Sequence, residues 1–228
     1  MEILKRDSLC EGGFSGLKEH SLVKDSRAFR CQENDDGSWP GLDNFVYLAD
    51  ARFMPNGETH MHSHREIDVI SVLVEGQLLH EGSLQHGKNL LRNDVQVQRA
   101  GGEGFSHNEI NPDDKWNRMI QLWILPEVSD QAAGYKVYKP VTGELTPIYG
   151  GEHINGAKFP AKTKIDVAVL SNEQQIEVDE PFLAYITRGK GIVNNVVVED
   201  GDLVRGNAFE FKAKVNDVLL ILVHAGKK

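Results

Sequence analysis

The stretch THMHSHREIDVISVLVEGQLLHEG, residues 59–82, decides how the whole chain reads. Side chains of an extended strand alternate between its faces, so His62 and His64 project together, with Ser63, Arg65 and Ile67 on the opposite face. His60 joins the histidine face if the strand begins that early; otherwise it is a supporting or solvated residue. Two imidazoles at this spacing reach a single metal ion, and histidine is the commonest metal-ligating side chain. Residues 69–74 (VISVLV) then form an apolar run rich in β-branched residues, which predicts a buried strand, and Glu75-Gly76 turns it.

An H-x-H pair alone is weak, because nine histidines in 228 residues will sometimes fall two apart. A second pair strengthens it. In GEGFSHNE, residues 102–109, His107 and Glu109 are again two apart and follow glycines that let backbone approach closely. Three histidines and a carboxylate from two strand segments suffice for a mononuclear site.

The rest of the chain reads as β structure. GLKEHSLV (16–23) is a short strand, and FVYLADARFMPNGE (45–58) is a strand-pair signal closed by Pro55-Asn56-Gly57. QLLHEGSLQHGKNLL (77–91) predicts a hairpin turning near Gly87, in which His80 and His86 are solvated; VQVQ alternates from Val95; MIQLWILP (119–126) is a hydrophobic strand ending at proline, with Trp123 in the core. Met54 and Phe53 are placed at the mouth of a pocket. EVSDQAAGYK (127–136) has weak helical character. An irregular polar segment, from about Tyr135 to Lys158, holds the boundary between two domains, residues 1–135 and 136–228. The second half shows five β signals, from IDVAVL to DVLLILVHAG, and only His153 and His224, far apart. Its Arg188-Gly189 turn sits much as Glu75-Gly76 does in the first half, which suggests duplication. Short strands with frequent turns predict an all-β sandwich or barrel.

Composition bounds the function. Thirty-four acidic against 25 basic residues give a net charge of −9, which argues against direct nucleic-acid binding. No apolar stretch approaches the ~20 residues that span a bilayer, and MEILKRDSL does not read as a signal peptide. Two cysteines, Cys10 and Cys31, are too few for a disulfide framework, so a reduced, cytoplasmic protein is expected. Arg65, opposite the histidines, is expected in a structural ion pair.

HSHREIDVISVLVEG, GEGFSHNEINP and IQLWILP together resemble the pirin family of the cupin superfamily, and the resemblance continues more weakly into FLAYITRGKGIVNN and VVVEDGDLVRG. It implies a bicupin of two jelly-roll β-barrel domains, with a metal, usually Fe(II), in the first and none in the second. By position, the family's H-x-H and H-x-E ligands fall on His62, His64, His107 and Glu109, which selects His62-His64 over His60-His62. Mn, Ni, Cu and Zn also suit such a donor set. The chain departs from the family at Asp68, where glutamate is usual, at Val72, where tyrosine is usual, and in the aromatic continuation of GLKEHSLV. Several pirin relatives cleave flavonols such as quercetin with O₂; in that role Glu109 would serve as ligand and general base. Others resemble redox-sensing regulators that dock a protein partner, and an acidic surface suits a basic one.

Overall fold

All six residues from Val69 to Val74 are buried because their strand has a hydrogen-bonded neighbour on each edge. A computed structural model describes residues 1–29, 36–151 and 159–225 of the chain. Among these, regular structure is β apart from one short 3₁₀ turn, and no helix is long and apolar enough to cross a membrane. Cys31 and His153 lie outside the described residues; Cys10 is exposed.

Two units are formed. The first strand, β1 (Glu2–Lys5), belongs to the C-terminal unit, Met1–Ser8 with Pro140–Lys228. The N-terminal unit, Leu9–Lys139, contains β2 (Gly12–Phe14), β3 (Leu17–Lys24), β4 (Phe45–Phe53), β5 (His62–His64), β6 (Asp68–Glu75), β7 (Gln77–Gly82), β8 (Lys88–Leu91), β9 (Val95–Arg99), β10 (Phe105–Ile110), β11 (Arg118–Ile124) and β12 (Gly134–Tyr138). They form a seven-stranded sheet, β12-β9-β6-β11-β4-β3-β2, and a four-stranded sheet, β5-β10-β7-β8. Leu17, Phe53, Leu73, Leu78, Leu90 and Met119 pack together from both sheets.

The C-terminal unit continues with β13 (Leu145–Gly151), β14 (Ala161–Leu170), β15 (Gln175–Val178), β16 (Phe182–Arg188), β17 (Lys190–Val193), β18 (Val196–Glu199), β19 (Asp202–Gly206), β20 (Phe209–Ala213) and β21 (Val218–His224). Its sheets are β1-β19-β16-β21-β14-β13 and β15-β20-β17-β18. Strand for strand, β19-β16-β21-β14 repeats β9-β6-β11-β4, and β15-β20-β17-β18 repeats β5-β10-β7-β8. Gly76 and Gly189 turn the chain at corresponding passages from one sheet to the other, β6 to β7 and β16 to β17, each at positive φ (76° and 83°), a conformation glycine adopts without penalty.

Several expectations change. A boundary at residue 135 cuts β12, whose five residues all pair with β9, and β1 pairs with β19 rather than within the first half. Residues 127–133 form no helix, and the segment read as irregular supplies β12 and β13. FVYLADARF is one nine-residue strand rather than two.

In the C-terminal unit His224 is buried with its Nε2 2.7 Å from Asp166 Oδ2, its Nδ1 against Glu180 Oε2, and Lys164 Nζ 3.3 Å from Glu180. Carboxylates only accept, so both ring nitrogens carry protons. Burial lowers the proton affinity of this imidazole, but the two carboxylates together outweigh it and hold its pKa above the usual range. Burial raises that of Glu180, and His224 with Lys164 reverse this to a net lowering. The raised histidine stabilises fully below its unfolded pKa and loses that contribution as pH rises through the folded one. The lowered carboxyl stabilises above its unfolded pKa and loses its part as pH falls. Chemical denaturation should therefore find this cluster's contribution greatest between about pH 4.5 and 6.5. His224→Ala should remove the maximum and cost about 3–5 kcal/mol there, since two carboxylates stay buried without their partner.

Candidate metal centre

β5 is three residues long and is pinned to β10 by the pairs Phe105↔His64, Ser106↔Ser63 and His107↔His62. Alternation sends His62, His64 and His107 to one face and the two serines to the other, where their hydroxyls meet at 2.7 Å. The three ring centroids lie 4.5–5.1 Å apart, and the Nε2 atoms of His62 and His107 are 3.0 Å apart. Metal–nitrogen bonds of about 2.1 Å at right angles would put two donors about 3.0 Å apart, so the pair already has the spacing of adjacent ligands. Gly104 makes the approach feasible: at φ 75°, a Cβ there would lie 2.7 Å from the His64 carbonyl oxygen.

On its other edge β10 pairs with β7, setting His107 opposite Gly82 and Glu109 opposite His80. Two groups of converging donor atoms result, His62–His64–His107 and His80–His107–Glu109, with atoms in each within 4.8 Å of one another. His107 belongs to both.

The hydrogen bonds orient these donors. His62 Nδ1–H donates to the His60 carbonyl at 2.8 Å, leaving Nε2 as a lone pair facing His107. The Gln98 amide lies 3.2 Å from His107 Nδ1, and its own Oε1 has no partner. Turning that amide over would let Oε1 accept from Nδ1–H and free the His107 Nε2 lone pair as a ligand. His64 Nε2 is buried and without a partner. Burial, then the neighbouring His62, lowers the His64 pKa to about 4. For His107, burial followed by His62, His64 and His80 lowers it to about 2. Both His64 and His107 are neutral at physiological pH, the state a metal ligand requires.

Glu109 is fully buried. Its Oε1 accepts from Ser71 Oγ at 2.6 Å and Gln96 Nε2 at 3.1 Å, and its Oε2 from Gln121 Nε2 at 3.4 Å. Burial raises its pKa to about 7 against the pull of these donors.

Other expected residues fall elsewhere. His80, read as solvated, is completely buried, and neither ring nitrogen has a hydrogen-bond partner. The signal was present in its period: Leu78 and His80 are two apart and both face inward. His86 is exposed as expected. His60 precedes the strand at φ 63° with a 69% exposed side chain beside Glu58, so it does not join the imidazoles. Asp68 is held by Arg99 Nε at 3.0 Å and the Ala100 amide at 3.2 Å, away from the donors. Arg65 is exposed and makes no ion pair among the described residues. Phe53 is core. Trp123 is only partly buried and flanks the site: its ring meets His64 at 5.7 Å and packs on Tyr47 at 4.6 Å and Phe29 at 5.7 Å.

Residues 33–124 match the family model described as Pirin. The fold superposes on the bacterial pirin YhhW of Escherichia coli, solved in complex with nickel(II), with a TM-score of 0.82 over 99% of both chains at 15% identity. Over residues 33–124 the chain is similar to the pirin family. The all-β bicupin expected of that family is the architecture found. A quercetin 2,3-dioxygenase of Escherichia coli is 28% identical over 62% of this chain and 64% of its own. A Zymomonas mobilis protein provisionally named for the same activity is 28% identical over 78% of this chain and 81% of its own. A Pseudomonas aeruginosa protein, also provisionally so named, is 36% identical, but the match spans only 29% of this chain and 28% of that one.

The raised Glu109 pKa has a consequence for stability. A carboxyl with a folded pKa near 7 favours folding less and less as pH climbs from its unfolded value, near 4.5, to 7. In the metal-free protein Glu109→Gln should therefore stabilise by on the order of 2–3 kcal/mol at pH 8 and by nothing at pH 4. Urea denaturation of both proteins across that range measures the difference.

Proposed function

We propose that this chain is a pirin-type dioxygenase, dependent on a divalent transition ion, Fe(II) first among candidates, and acting on a flavonol such as quercetin or a similar small aromatic enol. The observation that carries the reading is the convergence of three imidazoles, two of them half-exposed, with a fully buried carboxyl on the same strand as the third. The quercetin 2,3-dioxygenase relative and the nickel complex of YhhW support it, and nickel, manganese, copper and zinc fit the same donors.

His62, His64 and His107 would hold the ion; Glu109, whose oxygens group with His107 and not with His62 or His64, is the nearest carboxylate to complete the set. When bound, the ion contributes Lewis acidity toward an enolate and an open position for O₂. The protein's residues do the rest. The Phe105 and Trp123 rings, 5.2 and 5.7 Å from the His64 ring, give the site an apolar flank that suits a planar aromatic ligand. Glu109 is the buried carboxylate placed to take and return a hydroxyl proton. Ser71, Gln96 and Gln121 keep its carboxyl oriented.

Anaerobic loading with each metal, followed by flavonol and air, tests the proposal through oxygen uptake and flavonol loss. Turnover is expected with at least one metal, and His107→Ala should lower both metal affinity and turnover at least about 100-fold, beyond the effect of losing a mere supporting partner. Metal binding without turnover for every metal overturns the enzymatic reading. A wild-type chain that binds none overturns the metal centre.

A further inference from the structure

Neither ring nitrogen of buried His80 makes a hydrogen bond of good geometry, although the Gln85 backbone lies near enough to favour its protonation. His80 sits on β7 directly opposite Glu109, its ring 5.6 Å from that of His107 and 5.4 Å from that of Tyr135, with no exposure. The Tyr135 hydroxyl donates to Gln96 Oε1 at 2.9 Å, and Gln96 in turn donates to Glu109, so the neighbouring polar groups are committed to one another. Gly82, two residues on and paired with His107, leaves the room the ring occupies: a Cβ there would lie 3.0 Å from His80 Nε2. A buried imidazole whose polar atoms lack partners is destabilising. An apolar residue of similar size would fill the space beside Leu78 without that cost.

We propose that His80, His107 and Glu109 form an inner binding position for a divalent transition ion, distinct from the outer His62–His64–His107 position. This rests on the reading that the centre binds such an ion at all. The inner donors are two imidazoles and a carboxylate, a set that catalytic zinc and non-haem iron sites both use. All three are buried, whereas two of the outer three are half-exposed. The two positions exclude each other, because His107 Nδ1 faces Gln98 and only its Nε2 is free to ligate. One ion per chain therefore occupies either the accessible outer donors or the enclosed inner ones.

The test uses Co(II) and the double variant His62→Ala/His64→Ala, which dismantles the outer position and leaves the inner one whole. Equilibrium dialysis should show one equivalent of Co(II) bound, with a visible d–d spectrum different from wild type. Adding His80→Leu should weaken that binding at least about tenfold. The single variant His80→Leu, still binding one equivalent through the outer donors, shows that the leucine is accommodated. If the double variant binds no Co(II) while wild type does, or binds equally well with and without His80, the inner position is refuted and the outer centre stands. A wild-type chain that binds none removes the reading on which both rest.

Discussion

The chemistry of this protein depends on the register of one strand. β10 is paired on both edges, so the alternation that turns His107 and Glu109 inward is locked by β5 and β7 together. A slip of one residue would turn Ser106 and Asn108 inward and put the imidazole and the carboxyl outside. Side chains along its outer face resist that slip. Thr59 Oγ1 accepts the Glu109 amide at 3.0 Å and donates to Asn108 Oδ1 at 3.2 Å, while Asn108 Nδ2 reaches Glu58. Past the strand, the Asn111 amide donates to the carbonyls of Met54 and Lys115 at 2.9 and 2.6 Å. Each contact is polar, specific to one register and remote from the donors it positions.

The C-terminal unit shows what the same topology does without such donors. β20 pairs with β15 as β10 pairs with β5, so Phe211 opposes Ile176 where His107 opposes His62, and Phe209 opposes Val178 where Phe105 opposes His64. Where Glu109 faces His80, Ala213 faces Gly191. The Phe211 ring fills the space: a Cβ on Gly191 would lie 2.3 Å from it. One framework thus carries an apolar plug in one unit and five side chains with potential donor atoms in the other. Burying three of them, His80, His107 and Glu109, costs free energy that an apolar core does not, which is intelligible if a cation is what they answer to.

How much of this the sequence disclosed follows the range of each signal. Period-two spacing placed His62, His64, His107 and Glu109 on inward faces, and the glycine before Phe105 marked the close approach of β10. Neither depends on distant residues. His80 was legible by the same rule through Leu78, but the nearby turn drew the reading toward solvent. Trp123 was misplaced because a hydrophobic strand has two faces, and nothing local says which abuts an aromatic cluster. The membership of β1 had no local signal: Glu2 pairs with Arg205, and such long-range pairing is written in neither propensity nor period. The helical composition of 127–136 lost to pairing of its last residues in β12, a tertiary override of weak propensity.

β9 was the least legible strand, and it explains how polar groups survive inside the N-terminal unit. Val95 and Val97 alternate with Gln96 and Gln98, which reads as a half-solvated strand, yet all four are buried. The inward residues are stacked in layers. Trp123, Val69 and Phe105 form an apolar layer, and Met119, Leu73 and Leu78 another. Between them lie Gln121, Ser71, Gln96, His80, His107 and Glu109, with Gln98, level with Val69, reaching His107 from above, and the register Trp123↔Val69, Gln121↔Ser71, Met119↔Leu73 carries the alternation across β11 and β6. A polar layer enclosed this way can hold a charge only by bonding it within the layer. Ser71, Gln96 and Gln121 meet the carboxyl of Glu109, which leaves the imidazole lone pairs of the layer as the groups still seeking a positive partner.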